Sequence, residues 1–415
     1  MISEAGNNQV YTKDTYTLAI SPKSIVFKLV FVIAFLASGM ITMLTLTFFG
    51  FQFRLALVSL LVIPLFIYYP FRITRIELVY FYAVIIVLIS GLINHSSVIQ
   101  ISLFLRSFLF SYLIYFLVNI YVTTKTYSRI ISVSIFIGII QLPIMLLQRF
   151  LYDSYPVAIR ANLIYTDVGF GTFNYKGDPV MTLFLIMLII YLLFDPKSPK
   201  NMRSNLALSL WFTLTIFLSG AEMSKLIVVI IWGLFLLMNY RFKQLILVLV
   251  GFVLIMGVMA ETGYLERSWN NFSYSLSKGL GSSSAMEMRA FKSGEYGRNA
   301  AITYYLNQPL KLFGDGPSKY YNAITKKHSL GNTGHVFTYY SEIGLMGWLG
   351  SFALFFFLSF RKDNKKMRFT LAGLLSFLSI MLLSITHPVL NDISLIMAFC
   401  IFTKIFAFRH HELAL

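Results

Sequence analysis

The residues that could do chemistry sit at the polar edges of apolar runs. The stretch "GNTGHVFTYYSEIGLMGWLG" (331–350) places His335 and Glu342 where a polar segment turns hydrophobic. Seven residues on a helix make about two turns, so both can share one face. A histidine there can serve as a general base near neutral pH; the plain alternative is an interfacial histidine satisfied by water. "SGEYGRNAAITYYLNQP" (293–309) reads as a short helix ended by Pro309, with Arg298 on a stripe shared with Ala301, Ile302 and Tyr305. A guanidinium held against packed structure can grip a phosphate or carboxylate through two parallel hydrogen bonds. Lys225 follows "LSGAEMS" at the start of an apolar run, where pairing with Glu222 is the alternative to a functional role. Arg106, in "FLRSFLF", needs a partner such as Asp392 or a path to the surface.

Several chemistries lack their residues. No His/Cys/Asp cluster has metal-ligand spacing, and no catalytic-serine motif is present. The DxD-like carboxylate pair that holds a metal in many nucleotide-sugar transferases is missing too, and scattered acids argue against a paired-carboxylate hydrolase. "FGDGP" (313–317) lacks P-loop spacing and reads as a tight turn. The expectation is a cation-rich site with one histidine, no metal and no cofactor.

The elements that position these residues belong to a membrane. Of 415 residues, 57% are hydrophobic and only 12% charged, and mean hydropathy is +0.74. Soluble domains carry roughly 25% charged residues, so the composition is that of an integral membrane protein, and its long apolar runs make the expected fold all-α. The whole of 1–415 reads as one polytopic domain without tandem repeats. Its start, "MISEAGNNQVYTKDTYTLAISPKS", has no apolar h-region and is not expected to be a cleavable signal. The single cysteine, Cys400, excludes an intrachain disulfide. The net charge of +17 falls in short clusters between apolar runs, which reads as topology and not as a nucleic-acid surface.

Twelve runs are long enough to span: near 25–49, 54–71, 76–94, 98–121, 129–148, 179–194, 205–220, 224–239, 243–260, 334–360, 367–386 and 389–407. Alternate connections are basic: "PFRITR" (70–75), "TTKTYSR" (123–129), "DPKSPKNMR" (195–203), "YRFK" (240–243) and "RKDNKKMR" (361–368). "INHSS" (93–97) and "SITHP" (384–388), on the other side, have neither Lys nor Arg. The alternation predicts cytoplasmic termini. Two outer connections are long, 149–178 and 261–333. The first holds Arg160, and the second carries an excess of cations that includes Arg289 and Arg298.

In order along the chain, "YGR" (296–298), "LFGDGPSKYY" (312–321), "GH" (334–335) and "YYSEIGLMGWLG" (339–350) resemble the signature of the O-antigen polymerase and ligase superfamily. "LSGAEMSK" (218–225) is similar to the family's small-residue segment ending in a basic residue, usually arginine where this chain has Lys225. The family often has His-Asn where this chain has His335-Val336. The resemblance implies a GT-C-like membrane glycosyltransferase with two enlarged periplasmic loops, in the bacterial inner membrane. Its donor would be an undecaprenyl-diphosphate-linked oligosaccharide, used on the periplasmic side without a metal. Arg298 and Lys225, with Arg160 and Arg289, would hold the diphosphate; His335 would be the base and Glu342 a supporting residue that orients His335 or caps the helix. The lipid bilayer and a chain-length regulator protein are the further partners implied.

Two rivals stand beside the polymerase. A ligase would share the donor and transfer finished polymer to a lipid A core. A transporter or flippase of lipid-linked sugars would show internal repeats, broken helices and ionisable groups near the bilayer midplane.

Overall fold

The computed structural model describes residues 21–39, 53–69, 73–152, 169–173, 178–196, 198, 202–239, 309–319, 321–322, 327–328, 334–360, 362–363, 366–367 and 370–408. Among them are eleven helices: α1 Pro22–Phe35, α2 Phe53–Val62 (followed by a single turn, Leu65–Tyr68), α3 Arg75–Ile93, α4 Val98–Tyr121, α5 Tyr127–Phe150, α6 Asp178–Phe194, α7 Met202–Leu218, α8 Glu222–Asn239, α9 His335–Ser359, α10 Leu371–Thr386 and α11 Ile393–Ala407. The only strands among these residues are two tiny antiparallel pairs, β1 Tyr321–Asn322 with β2 Lys327–His328, and β3 Lys362–Asp363 with β4 Lys366–Met367. The fold is all-helical, and its helices fall on the expected apolar runs; the run at 243–260 lies outside the described residues. α3, α4, α5 and α9 are long and apolar enough to cross a membrane, and six shorter apolar helices accompany them. By length and hydropathy this is a multi-pass membrane protein.

Two short helices form the centre. α6 is buried along nearly its whole length and α11 is buried from Ile393 to Thr403. A helix that is apolar all round belongs inside other helices. α6 packs against α7, α8, α10 and α11, while α11 also packs against α4. Lipid tails are as apolar as leucine, so association depends on close packing and on hydrogen bonds between helices. Those bonds are present: Thr182 Oγ1 to Ser224 Oγ at 2.7 Å (α6–α8), Ser107 Oγ to Tyr339 Oη at 3.1 Å (α4–α9), and Lys404 Nζ to Asn119 Oδ1 at 2.8 Å (α11–α4).

Helix starts follow local sequence. Thr74 and Glu77 make a capping box at α3, and Ser97 and Gln100 make another at α4. Asp392 accepts the amides of Ser394 and Leu395 at 2.8 and 3.2 Å at the start of α11. It therefore caps a helix, while Arg106 is exposed on α4. Pro143 sits inside α5 and has no N–H for the carbonyl of Ile139. Trp211 of α7 donates its indole N–H to that carbonyl at 3.1 Å.

α9 is not one straight span. Gly344 breaks it with φ 71° and ψ −165°. In a continuous helix His335 and Phe355 would lie about 30 Å apart at 1.5 Å per residue. Their ring centroids are 5.6 Å apart. The two halves of α9 therefore fold back on each other, with Gly344 at the vertex. This corrects the expectation of a simple tenth span over 334–360.

Candidate functional site

The vertex of α9 is held by the segment that the sequence presents as a turn. Where the helix breaks, its backbone groups lose their partners, and a break in a membrane helix needs substitutes. Residues 311–316 provide them on both sides of Gly344. The amides of Asp315 and Gly316 donate to the carbonyls of Ser341 and Glu342 at 2.8 and 2.9 Å; the amides of Leu345 and Met346 donate to those of Lys311 and Leu312 at 3.0 and 3.1 Å. The hydroxyl of Ser90 in α3 reaches Phe313 O at 2.6 Å and Glu342 O at 3.2 Å.

Glycines permit this approach. Gly314 has φ 65°, and a Cβ there would lie 2.6 Å from the Glu342 carbonyl and from Gly344 N. Gly316 has φ 110°, and its missing Cβ would meet Ser96 Oγ at 2.7 Å. "FGDGP" and "EIG" are thus two halves of one structure.

Glu342 completes it. The residue is fully buried, and its Oε2 accepts the Ser318 amide at 2.8 Å. Gln100 Nε2 donates to Ser318 O at 3.3 Å. The carboxylate fastens 311–318 to α9.

His335 opens α9 inside the bundle. Its amide donates to His387 O at 3.1 Å, and a Cβ on Gly334 would overlap the Ile385 carbonyl. The imidazole is only 2% exposed. Its ring centroid lies 3.7 Å from that of Tyr339, the two planes tilted by 32°, and it meets Phe355 edgewise. Tyr339 is bonded to Ser107, about 14 Å along α4 from Val98 at 1.5 Å per residue. The residue expected at the surface junction is instead buried between helices, because the fold at Gly344 turns the first half of α9 inward. His335 Nε2 has no hydrogen-bond partner among the described residues.

A second polar cluster joins α5, α6, α7 and α8. Asp178 Oδ2 accepts the Gly220 amide at 3.0 Å, and Lys225 is buried in the first turn of α8. The short segment 169–173 inserts between helices, with Phe170 and Phe173 buried. Two glutamines of α5 receive it. Gln148 exchanges two bonds with Gly171, Nε2 to O at 2.7 Å and N to Oε1 at 2.9 Å. Gln141 accepts the Thr172 amide at 2.9 Å and donates to its hydroxyl at 3.0 Å. Thr172 Oγ1 also bonds the carbonyl of Phe35. The sequence signal for this arrangement was two glutamines seven apart in an apolar run.

His335, Glu342 and Lys225 are thus placed, the first two on the folded α9 and the third in the other cluster. Arg298, Arg289 and Arg160 lie outside the described residues, as does the short helix expected over 293–309. The chain matches no protein-family model and no curated protein.

Proposed function

We propose that this protein is a surface-polysaccharide polymerase of the O-antigen type. It would join oligosaccharide repeat units carried on undecaprenyl diphosphate, on the periplasmic side of a bacterial inner membrane, with both termini in the cytoplasm. The Lys/Arg alternation supports the orientation. The resemblance of the ordered motifs supports the substrate class, and the observation that carries most is the unpartnered Nε2 of His335. That atom is buried and has no hydrogen-bond partner among the described residues.

In this reading the bond from the sugar C1 to the phosphate oxygen of the donor breaks, and a bond from C1 to an acceptor hydroxyl forms. The electron pair leaves with the lipid diphosphate, whose charge Arg298 and Lys225, with Arg160 and Arg289, stabilise by fixed positive groups. The hydroxyl proton passes to His335. Glu342 holds residues 311–318 against α9.

A second reading has an observation of its own. The broken α9 and the burial of His335 are what a transporter would show, since its discontinuous helices carry ionisable groups inside the bundle. Against it, the gap at Gly344 is filled by the protein's own 311–316 backbone.

Chain length tests the polymerase. His335→Ala, folded and inserted, should leave single repeat units in cells, with turnover down at least about a hundredfold and donor binding kept. Arg298→Lys should also be poorly tolerated, since a point charge lacks the planar two-bond grip. Long chains made by His335→Ala protein would remove the histidine from the mechanism.

A further inference from the structure

α5 extends to Phe150, two residues past the expected run, and this brings Arg149 into its last turn. The alternation of basic connections puts that end of α5 on the Lys/Arg-poor side, where a cation at a helix end runs against the bias. Lys225 is the other such cation, and the two flank the same turn. Arg149 Nη2 donates to Leu218 O, the last residue of α7, while Lys225 N bonds Ala221 O just beyond it.

A carbonyl contact and a helix C-terminus would each favour an arginine here. They leave most of it unused. A guanidinium has five N–H donors in a rigid fork. Arg149 Nε is buried without a partner among the described residues, and no acid pairs with Arg149 there. Asp178, the carboxylate of that cluster, accepts the Gly220 amide. Gly169 packs beside the guanidinium, where a Cβ would come 3.6 Å from Nη2.

We infer that Arg149 is a fixed contact for a phosphate group, held by Leu218 at one nitrogen and open to an anion at the others. Resting on the function proposed above, the anion is the diphosphate of the lipid-borne substrate, reached from the side of α5. A bilayer phospholipid has the same phosphate chemistry, so the test must separate the two.

Purified protein in nanodiscs of neutral lipid is titrated with farnesyl diphosphate, farnesol and phosphatidylglycerol, with binding followed by tryptophan fluorescence. Wild type should bind the diphosphate at least tenfold more tightly than farnesol. Arg149→Gln should lose most of that preference and leave farnesol binding unchanged; Arg149→Lys should fall between. Melting temperature checks the packing role, which would lower stability without altering the preference. A wild-type preference that Arg149→Gln retains in full overturns the inference about Arg149 alone. A preference for phosphatidylglycerol that the Gln variant loses assigns the contact to bilayer lipid and overturns the substrate assignment. No preference for diphosphate in wild type overturns both this inference and the lipid-diphosphate reading.

Discussion

Gly314 and Gly344 lie back to back, both in the left-handed region at φ 65° and 71°, with the backbone of each in the space where the other would carry a Cβ. Neither can be replaced without moving main chain. Gly344→Ala and Gly314→Ala should each cost about 1–3 kcal/mol for the backbone conformation alone, with overlap added. Thermal unfolding in detergent should show a clear loss for both. Gly233→Ala is the control: a Cβ there meets nothing within 4 Å, and alanine in a helix is about 1 kcal/mol better than glycine. Equal melting temperatures for all three variants would mean that the vertex is not the rigid point described.

The paired glutamines of α5 give a second prediction. Gln148→Leu would leave both the N–H and the carbonyl of Gly171 without their present partners. Each unsatisfied buried group costs about 1–3 kcal/mol. Hydrogen exchange should quicken at Gly171 and its neighbours far more than in α6. Unchanged protection there would show that Gln148 is not what retains the segment.

How much of this was legible differs between helices and site. Apolar runs are long and continuous, so α3, α4 and α5 could be bounded from hydropathy to within a few residues. The fold in α9 could not. Its break interrupts no apolar run, and a glycine such as Gly344 is common in membrane helices. What marks it is a non-local pairing with Gly314, and hydrogen bonds between distant segments leave no periodicity. His335 was visible as a chemical candidate, while its burial followed from the fold-back and could not be read from its place in the sequence.

Pro143 and Trp211 form a pair that a double-mutant cycle can isolate. Trp211→Phe should cost about 1 kcal/mol by leaving the carbonyl of Ile139 without its donor. In a Pro143→Ala background alanine's own N–H can take that carbonyl, so the same change should cost nearly nothing. Additive costs would break the link between the proline and the tryptophan.

Orientation is tested by labelling. Ser154→Cys and Ser282→Cys lie in the two long connections of the Lys/Arg-poor side. Both should react with an impermeant thiol reagent in cells whose outer membrane alone is permeabilised. Labelling only after lysis would invert the topology and move the proposed site to the cytoplasm.

The central claim is that a glycosidic bond forms on a lipid carrier, and mass spectrometry of the products tests it most directly. Purified protein in proteoliposomes is given a synthetic undecaprenyl-diphosphate-linked oligosaccharide. The expected result is a ladder of lipid-linked products spaced by one repeat unit, with one undecaprenyl diphosphate released per bond formed, and no ladder with His335→Ala. Substrate that crosses the bilayer with its mass unchanged would contradict the account and leave the folded α9 as part of a transporter.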